Sequence, residues 1–354
     1  MRRPWSPARF GASWSGKMET KEFCAGIDVG GTKISSALFS KEGDFIGKTK
    51  VSIDKAGGDG AAGQIAGILR SLAVLAKQKK GRLLAAAVCV PGVVYKKTGL
   101  VWAPNIPGWD YYPLGERIKQ AYVQSERKDA SSARASGVAF PRLVIESDRS
   151  AYVMGEQWRG AAKGARDVVF LAVGTGIGAG IFAEGRIVHG SKDIAGAVGW
   201  FALDPDFKDE YAAMGCFEAE ASGNSVGQKA ARLLEGGRPS LMRELAEGDP
   251  VEVTAAIVAE AARKNDPLAR KVIDDTVAYL AMGIANIVSI LNPEIIVLGG
   301  GLFQASDLLL EPIKREFKRW AQPLSARSVR IELSELGEDA GLYGCGRIAW
   351  DNIT

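Results

Sequence analysis

Two stretches of this chain follow one plan, and that duplication constrains the fold more than any other feature. The first runs from Phe23 to Phe39 (FCAGIDVGGTKISSALF) and turns at Lys41-Glu42-Gly43-Asp44. The second runs from Val168 to Phe182 (VVFLAVGTGIGAGIF) and turns at Glu184-Gly185. Each reads as an apolar strand, a turn of glycine and threonine, a second strand, and a tight turn into a third. The copies start about 145 residues apart, well beyond the roughly 20–50-residue period of a solenoid. Two similar domains facing each other across a cleft are therefore expected.

Between the copies, Leu84–Val90 reads as a strand ending at Pro91-Gly92, and Leu143-Val144-Ile145 as another ending at Glu146-Ser147-Asp148. After the second hairpin the pattern turns helical. Val277, Leu280, Ala281, Ile284, Ile287, Val288 and Leu291 keep helical spacing, with Asp274 and Asp275 favouring the helix start and Asn292-Pro293 stopping it. Ile295–Leu298 is a buried strand running into Gly299-Gly300-Gly301. Strands alternating with helices make an α/β protein. The expected division is an N-terminal domain over 22–145, a C-terminal domain over 146–340, and a last helix over 341–354 that packs back on the first domain. The Ser/Ala/Arg-rich insert 124–140 reads as a mobile surface loop, and 1–21 as a disordered extension in which Met18 is an alternative start.

Composition excludes several classes. With 354 residues, 47% of them apolar, the chain can bury a large core. A net charge of +4 with no long Lys/Arg run gives no nucleic-acid footprint. No uninterrupted apolar run reaches the roughly 20 residues of a membrane span, and the N-terminal segment has no apolar signal region. Four scattered cysteines without a CxxC pair fit reduced cytoplasmic thiols. His189 is the single histidine, so a multi-histidine metal site cannot form.

Asp28-Val29-Gly30-Gly31-Thr32-Lys33 offers backbone N–H groups at a turn where glycine permits positive φ and close approach of an anion. Thr32 adds a hydroxyl, and Asp28 at the strand end is placed to hold a Mg²⁺-bound water. The segment is not a Walker A loop, which needs GxxxxGK[ST] before a helix; by itself it also suits an ordinary hairpin. Gly174-Thr175-Gly176-Ile177-Gly178-Ala179 satisfies the loose dinucleotide pattern, but it runs into a strand rather than a helix. A second phosphate-gripping hairpin explains it better. Gly299, Gly300 and Gly301 form either a third close-approach point or a plain strand-to-helix turn.

With Val90-Pro91-Gly92-Val93, Ala103-Pro104-Asn105-Ile106-Pro107-Gly108-Trp109, Gly215-Cys216-Phe217-Glu218-Ala219-Glu220-Ala221-Ser222-Gly223 and Glu338-Asp339-Ala340-Gly341, these turns resemble the ROK family (repressors, open reading frames and sugar kinases) of the hexokinase–actin superfamily. The resemblance runs from about Cys24 to the C-terminus. It implies two actin-like (ribonuclease H-like) domains, ATP and Mg²⁺ as cofactors, and a small-molecule sugar as substrate. The Asp28 and Gly174 hairpins would clasp the β- and γ-phosphates, with Gly299–Gly301 beside the adenosine. Asp148 would take the proton of the attacking hydroxyl; a helix N-cap is its structural alternative. Asn105, Ser147 and Glu218 would meet sugar hydroxyls, although an Asx turn also explains Asn105. The implied reaction is phosphorylation of glucose or a related hexose at the 6-position; an N-acetylhexosamine kinase or a non-catalytic sugar sensor is the alternative. The family's repressors carry a DNA-binding module of typically 70–80 residues ahead of the first hairpin, whereas about 22 precede Phe23, so DNA binding is not expected. The resemblance leaves a homodimer open.

The chain departs from the family at the sugar side. It reads Ser147-Asp148 where sugar kinases usually have Asn-Asp, and Ala197-Val198-Gly199-Trp200 where they carry Glu-x-x-His or a similar pattern. Trp200 either stacks on a sugar face or fills the volume of a missing metal site. Asp209 and Tyr211 stand where zinc cysteines are expected, leaving only Cys216, so no zinc site is expected.

Overall fold

The computed structural model describes residues 20–130 and 139–353. Residues 1–19 of the expected extension and 131–138 of the expected insert lie outside them. The start of that insert is not a loop: Gln124 to Ala130 complete helix α2 (Leu114–Ala130), which follows α1 (Gly58–Gln78). Gln, Glu, Arg and Lys are good helix formers, and they extend the preceding helix despite the serine-rich sequence that follows.

The duplication folds twice into one topology. β1 (Lys21–Val29) and β2 (Lys33–Phe39) pair antiparallel, and β3 (Phe45–Ser52) adds to β2 in the same sense. β4 (Gly81–Val90) joins β1 in parallel. A separate short hairpin follows, β5 (Val93–Tyr95) with β6 (Leu100–Trp102), before β7 (Arg142–Ser147) pairs in parallel with β4. In the second half β8 (Val168–Val173), β9 (Ile177–Ala183) and β10 (Arg186–Ile187) form the antiparallel part. β11 (Ile295–Gly299) and β12 (Arg330–Leu333) extend it in parallel. The orders β3-β2-β1-β4-β7 and β10-β9-β8-β11-β12 coincide position for position.

Because side chains alternate across a strand, each sheet feeds two cores. Ala25, Ile27, Ala86 and Val88 face α1 and α2, whereas Cys24, Ala85, Ala87 and Cys89 face the other way. Likewise Val169, Leu171, Ile296 and Leu298 face a helical layer, whereas Val168, Phe170, Ile295 and Val297 face the middle. That middle holds α3 (Asp148–Arg159) and the C-terminal helix Ala340–Asp351, packed between the two sheets. The two helices touch closely through glycine: a Cβ on Gly344 would stand 1.8 Å from the Ala151 carbonyl oxygen, and one on Gly155 2.1 Å from that of Ala340.

The long helix expected near Asp274 begins earlier, at Pro267, and runs to Leu291. Asp266 caps it by accepting from the Ala269 N–H (2.9 Å), and Pro267 suits the first position, where no N–H is needed. Asn292 ends it in a left-handed conformation. By length and hydropathy this helix could cross a bilayer, yet Leu280, Ala281, Ile284, Ile287 and Val288 are buried in the core beside the second sheet.

Candidate active site

The turns β1–β2 and β8–β9 open onto one cleft of about 1050 Å³. Asp28, Gly30, Thr32 and Lys33 line it from the first sheet; Gly174, Thr175, Gly176 and Gly178 line it from the second. Asn105, Asp148, Trp200, Glu218, Gly300 and Gly301 complete the wall. Three expected site residues are not on it. Gly31 turns towards Asn105, whose Cβ lies 3.6 Å from where its own would be. Gly299 is buried within β11, and the Phe170 ring fills the space of its missing Cβ. Ser147 is buried, with its hydroxyl 2.9 Å from the Gly92 carbonyl oxygen and 3.3 Å from Asp148 Oδ1.

The glycines work differently from the expectation. Gly30, Gly31, Gly174 and Gly176 all keep negative φ. The first turn closes by the Gly30 N–H donating to Lys33 O (2.8 Å), and the second by the Gly174 N–H donating to Gly176 O (2.9 Å). At Gly176 the need is space: a Cβ would stand 2.7 Å from Glu218 Oε2, which accepts from the Ile177 N–H at 2.7 Å. A cleft-wall carboxylate is thereby mounted on the second glycine turn. Gly178 and Gly180 make room for α3, with the Arg149 side chain and backbone against them. Gly300 alone among the expected site glycines has a positive φ (97°), and a Cβ there would meet Val173 O at 2.4 Å.

Asp148 opens α3, and Ser147 holds the extended cap position. Asp148 Oδ1 accepts from the Arg149 N–H (2.8 Å), so Asp148 is not the N-cap, and its carboxylate stays on the cleft wall. Burial pushes it up to about 6, against the pull of the Arg149 charge and the Arg149 and Ser147 hydrogen bonds. Burial also pushes Asp28 up to about 7, with Asp148 and Asp339 adding to the rise and Lys50 opposing it. Burial raises Glu218 as well, against the Ile177 N–H. Asn105 makes no side-chain hydrogen bond among the described residues, so its amide is not spent on an Asx turn. Trp200 is 58% exposed and lines the cleft; it does not fill an interior void.

Around Cys216 the donors do not suit zinc. Its sulfur accepts from the Leu203 N–H (3.4 Å), while Lys208, Lys229 and the Tyr211 hydroxyl all engage the buried carboxylate of Glu220. Two ammonium groups and one thiol cannot replace four anionic or neutral ligands.

The sequence reading passed over Arg149, Tyr152, Lys50 and Gln304, which also line the cleft. It also missed an adjoining cavity of about 660 Å³ that shares Gly174, Thr175 and Gly301 with the cleft. Asn224, Gln228 and Arg232 line that cavity as an i, i+4, i+8 stripe on helix Gly223–Glu235, a spacing that could have revealed them.

The model of the ROK family matches residues 24–351. A glucokinase of Halalkalibacterium halodurans is 32% identical over 325 residues, covering 91% of this chain and 93% of its own. A ROK hexokinase structure from Thermus thermophilus superposes with a TM-score of 0.74 at 26% identity, covering 94% of this chain and 99% of the other. A ROK glucokinase from Streptomyces griseus, solved with glucose and AMPPNP, gives 0.68 at 25%, covering 93% and 100%.

Proposed function

The chain belongs to the ROK family, and from that premise we propose that it phosphorylates a hexose, glucose or a close relative at the 6-hydroxyl, with ATP as donor. The observation that carries this is the meeting of Asp148 with two glycine turns from opposite sheets in one cleft. The glucokinase relative and the glucose- and AMPPNP-bound neighbour support the same reading.

The sugar oxygen attacks the γ-phosphorus, its proton passes to the Asp148 carboxylate, and the bond to the β–γ bridging oxygen breaks to release ADP. A base held at about 6 is ionised at neutral pH yet more basic than an ordinary aspartate. Backbone N–H groups of the two turns, with Thr32 and Lys33, face the phosphates; Asn105, Glu218 and Trp200 face the sugar. The adjoining cavity behind Gly174 and Gly301 suits the nucleoside. Asp28 fits a magnesium ion held through water, since a carboxylate penalised by burial and by Asp148 and Asp339 gains from a nearby cation. That ion would supply charge neutralisation for the phosphates. The same reading divides the chain into units over 22–145 and 146–340, which close on the sugar to exclude water. The four buried free cysteines support a cytoplasmic setting.

A coupled ADP-release assay with Mg-ATP across hexoses and N-acetylhexosamines tests the proposal, with Asp148→Asn as control. Turnover on a hexose that falls at least about 100-fold in the variant is expected. Turnover surviving unchanged would remove Asp148 as base, and tight sugar binding without turnover would favour a sensor.

A further inference from the structure

Glu146 ends β7 two residues before Asp148, with a side chain only 5% exposed. Its carboxylate accepts from three directions: Lys96 Nζ at 2.7 Å, His189 Nε2 at 3.0 Å and the Ser147 N–H at 2.8 Å. Since a carboxylate only accepts, Nε2 carries the proton of the imidazole. Lys96 follows β5 and also donates from Nζ to the Ile145 carbonyl (3.0 Å) and from its backbone N–H to Asp193 Oδ2 (3.1 Å). His189 and Asp193 belong to a loop fixed on the second sheet, where the Val188 N–H donates to Ile181 O (2.9 Å) and the Ala179 N–H to Gly196 O (2.8 Å). One buried carboxylate thus joins the end of a first-sheet strand to a loop of the second half. That loop brings Ile194 and Ala197 to the cleft and leads into the short helical turn Val198–Trp200.

Glu146, Lys96 and His189 do not line the cleft, so none is needed to touch a ligand. A buried ion pair is a poor way to gain stability compared with apolar packing, which leaves geometry as its use. Burial pushes Glu146 up, but the His189 hydrogen bond and the Lys96 charge outweigh it and hold the carboxylate at about 2. The carboxylate is therefore ionised at neutral pH.

We propose that Glu146, His189 and Lys96 form a cross-cleft tie that positions the acceptor-side loop 188–200 relative to Asp148. They are positioning residues for the sugar and not for the nucleotide, whose cavity is lined by other segments. The kinetic part of this proposal rests on the hexose-kinase reading; the structural part does not.

The test uses His189→Ala and Lys96→Met in the full chain, because their partly exposed side chains can be removed with less risk to folding than Glu146. Amide hydrogen exchange on the unliganded protein should quicken about tenfold in 188–200, with the β1–β2 hairpin and helix Pro267–Leu291 at wild-type rates. The acceptor KM should rise about fivefold or more with the ATP KM unchanged, a split that general loss of structure would not produce. His189→Gln, which keeps an N–H donor, should recover most of both effects. Unchanged exchange in 188–200 in both variants overturns the tie. A fall in kcat with both KM values unchanged, or faster exchange without a change in acceptor KM, overturns its positioning role. If the wild type turns over no sugar, the kinase reading fails by itself and the exchange result still decides whether the tie exists.

Discussion

Replacing Asp28 by asparagine should stabilise the unliganded protein while removing activity, and the size of the gain should depend on pH. The Asp28 carboxylate is held near Asp148 and Asp339, and the nearby Lys50 is paired with Glu338 instead (2.8 Å). Folding moves Asp28 from 3.8 to about 7. At about 1.36 kcal/mol per unit, keeping it ionised at pH 8 costs up to about 4 kcal/mol. Asp28 is partly open to cleft water and shares the repulsion with Asp148, so about half, roughly 2 kcal/mol, is the realistic figure. The sign follows from the raised folded value. Below 3.8 the carboxyl is protonated in both states and costs nothing; the penalty builds as pH rises from there and is complete above about 7. The melting temperature of Asp28→Asn should therefore exceed that of the wild type at pH 8 by about 3 °C, and the gap should shrink towards pH 5. Thermal melts from pH 5 to 8, free of nucleotide and divalent ions, measure it. A gap that stays constant with pH, or a variant that melts below the wild type at pH 8, would refute the reasoning.

The pH profile should show the base directly. With Asp148 held at about 6, kcat/KM should rise about tenfold per unit below that value and level off above it, and a flat profile between pH 5 and 7 would exclude Asp148. Gly176→Ala should push Glu218 away from the Ile177 N–H, since the added carbon would stand 2.7 Å from Oε2. Losing that charge-assisted bond predicts an acceptor KM at least about tenfold higher in steady-state kinetics. An unchanged KM would show that Glu218 does not meet the sugar.

Much of this was legible in the sequence because strand–turn–strand patterns are local. The two hairpins, the strand ending at Val90 and the buried strand at Ile295 follow from short-range apolarity and glycine placement. The helix start was misplaced because Asp274 and Asp275 look like first-turn acids, whereas Asp266-Pro267 gives the stronger cap seven residues earlier. The turn glycines were identified for the wrong reason. Positive φ can be guessed from sequence, but the need for space at Gly176 depends on Glu218, 42 residues away. The Glu146 cluster was unreadable for the same cause: Lys96, Glu146 and His189 become neighbours only when both sheets are assembled. Ser147 matched a substrate position by alignment with its neighbours, yet its direction is set by Gly92, a contact no local pattern announces.

The C-terminal helix in the middle layer bears on how the chain is made. Cys345 donates from sulfur to Ile27 O (3.4 Å) across 318 residues of sequence, and Gly346 packs on Gly26. On the ribosome, β1 (Lys21–Val29) emerges long before its covering helix Ala340–Asp351. Folding of an N-terminal domain as soon as it is synthesised, the usual order, would leave one face of this sheet bare until that helix has been made. During that interval Cys24, Ala85, Ala87 and Cys89 lack the covering of Cys345, Ile348 and Ala349. A nascent chain arrested before Ala340 should thus be held by chaperones, and docking of the Ala340–Asp351 helix should be the event that seals its first half.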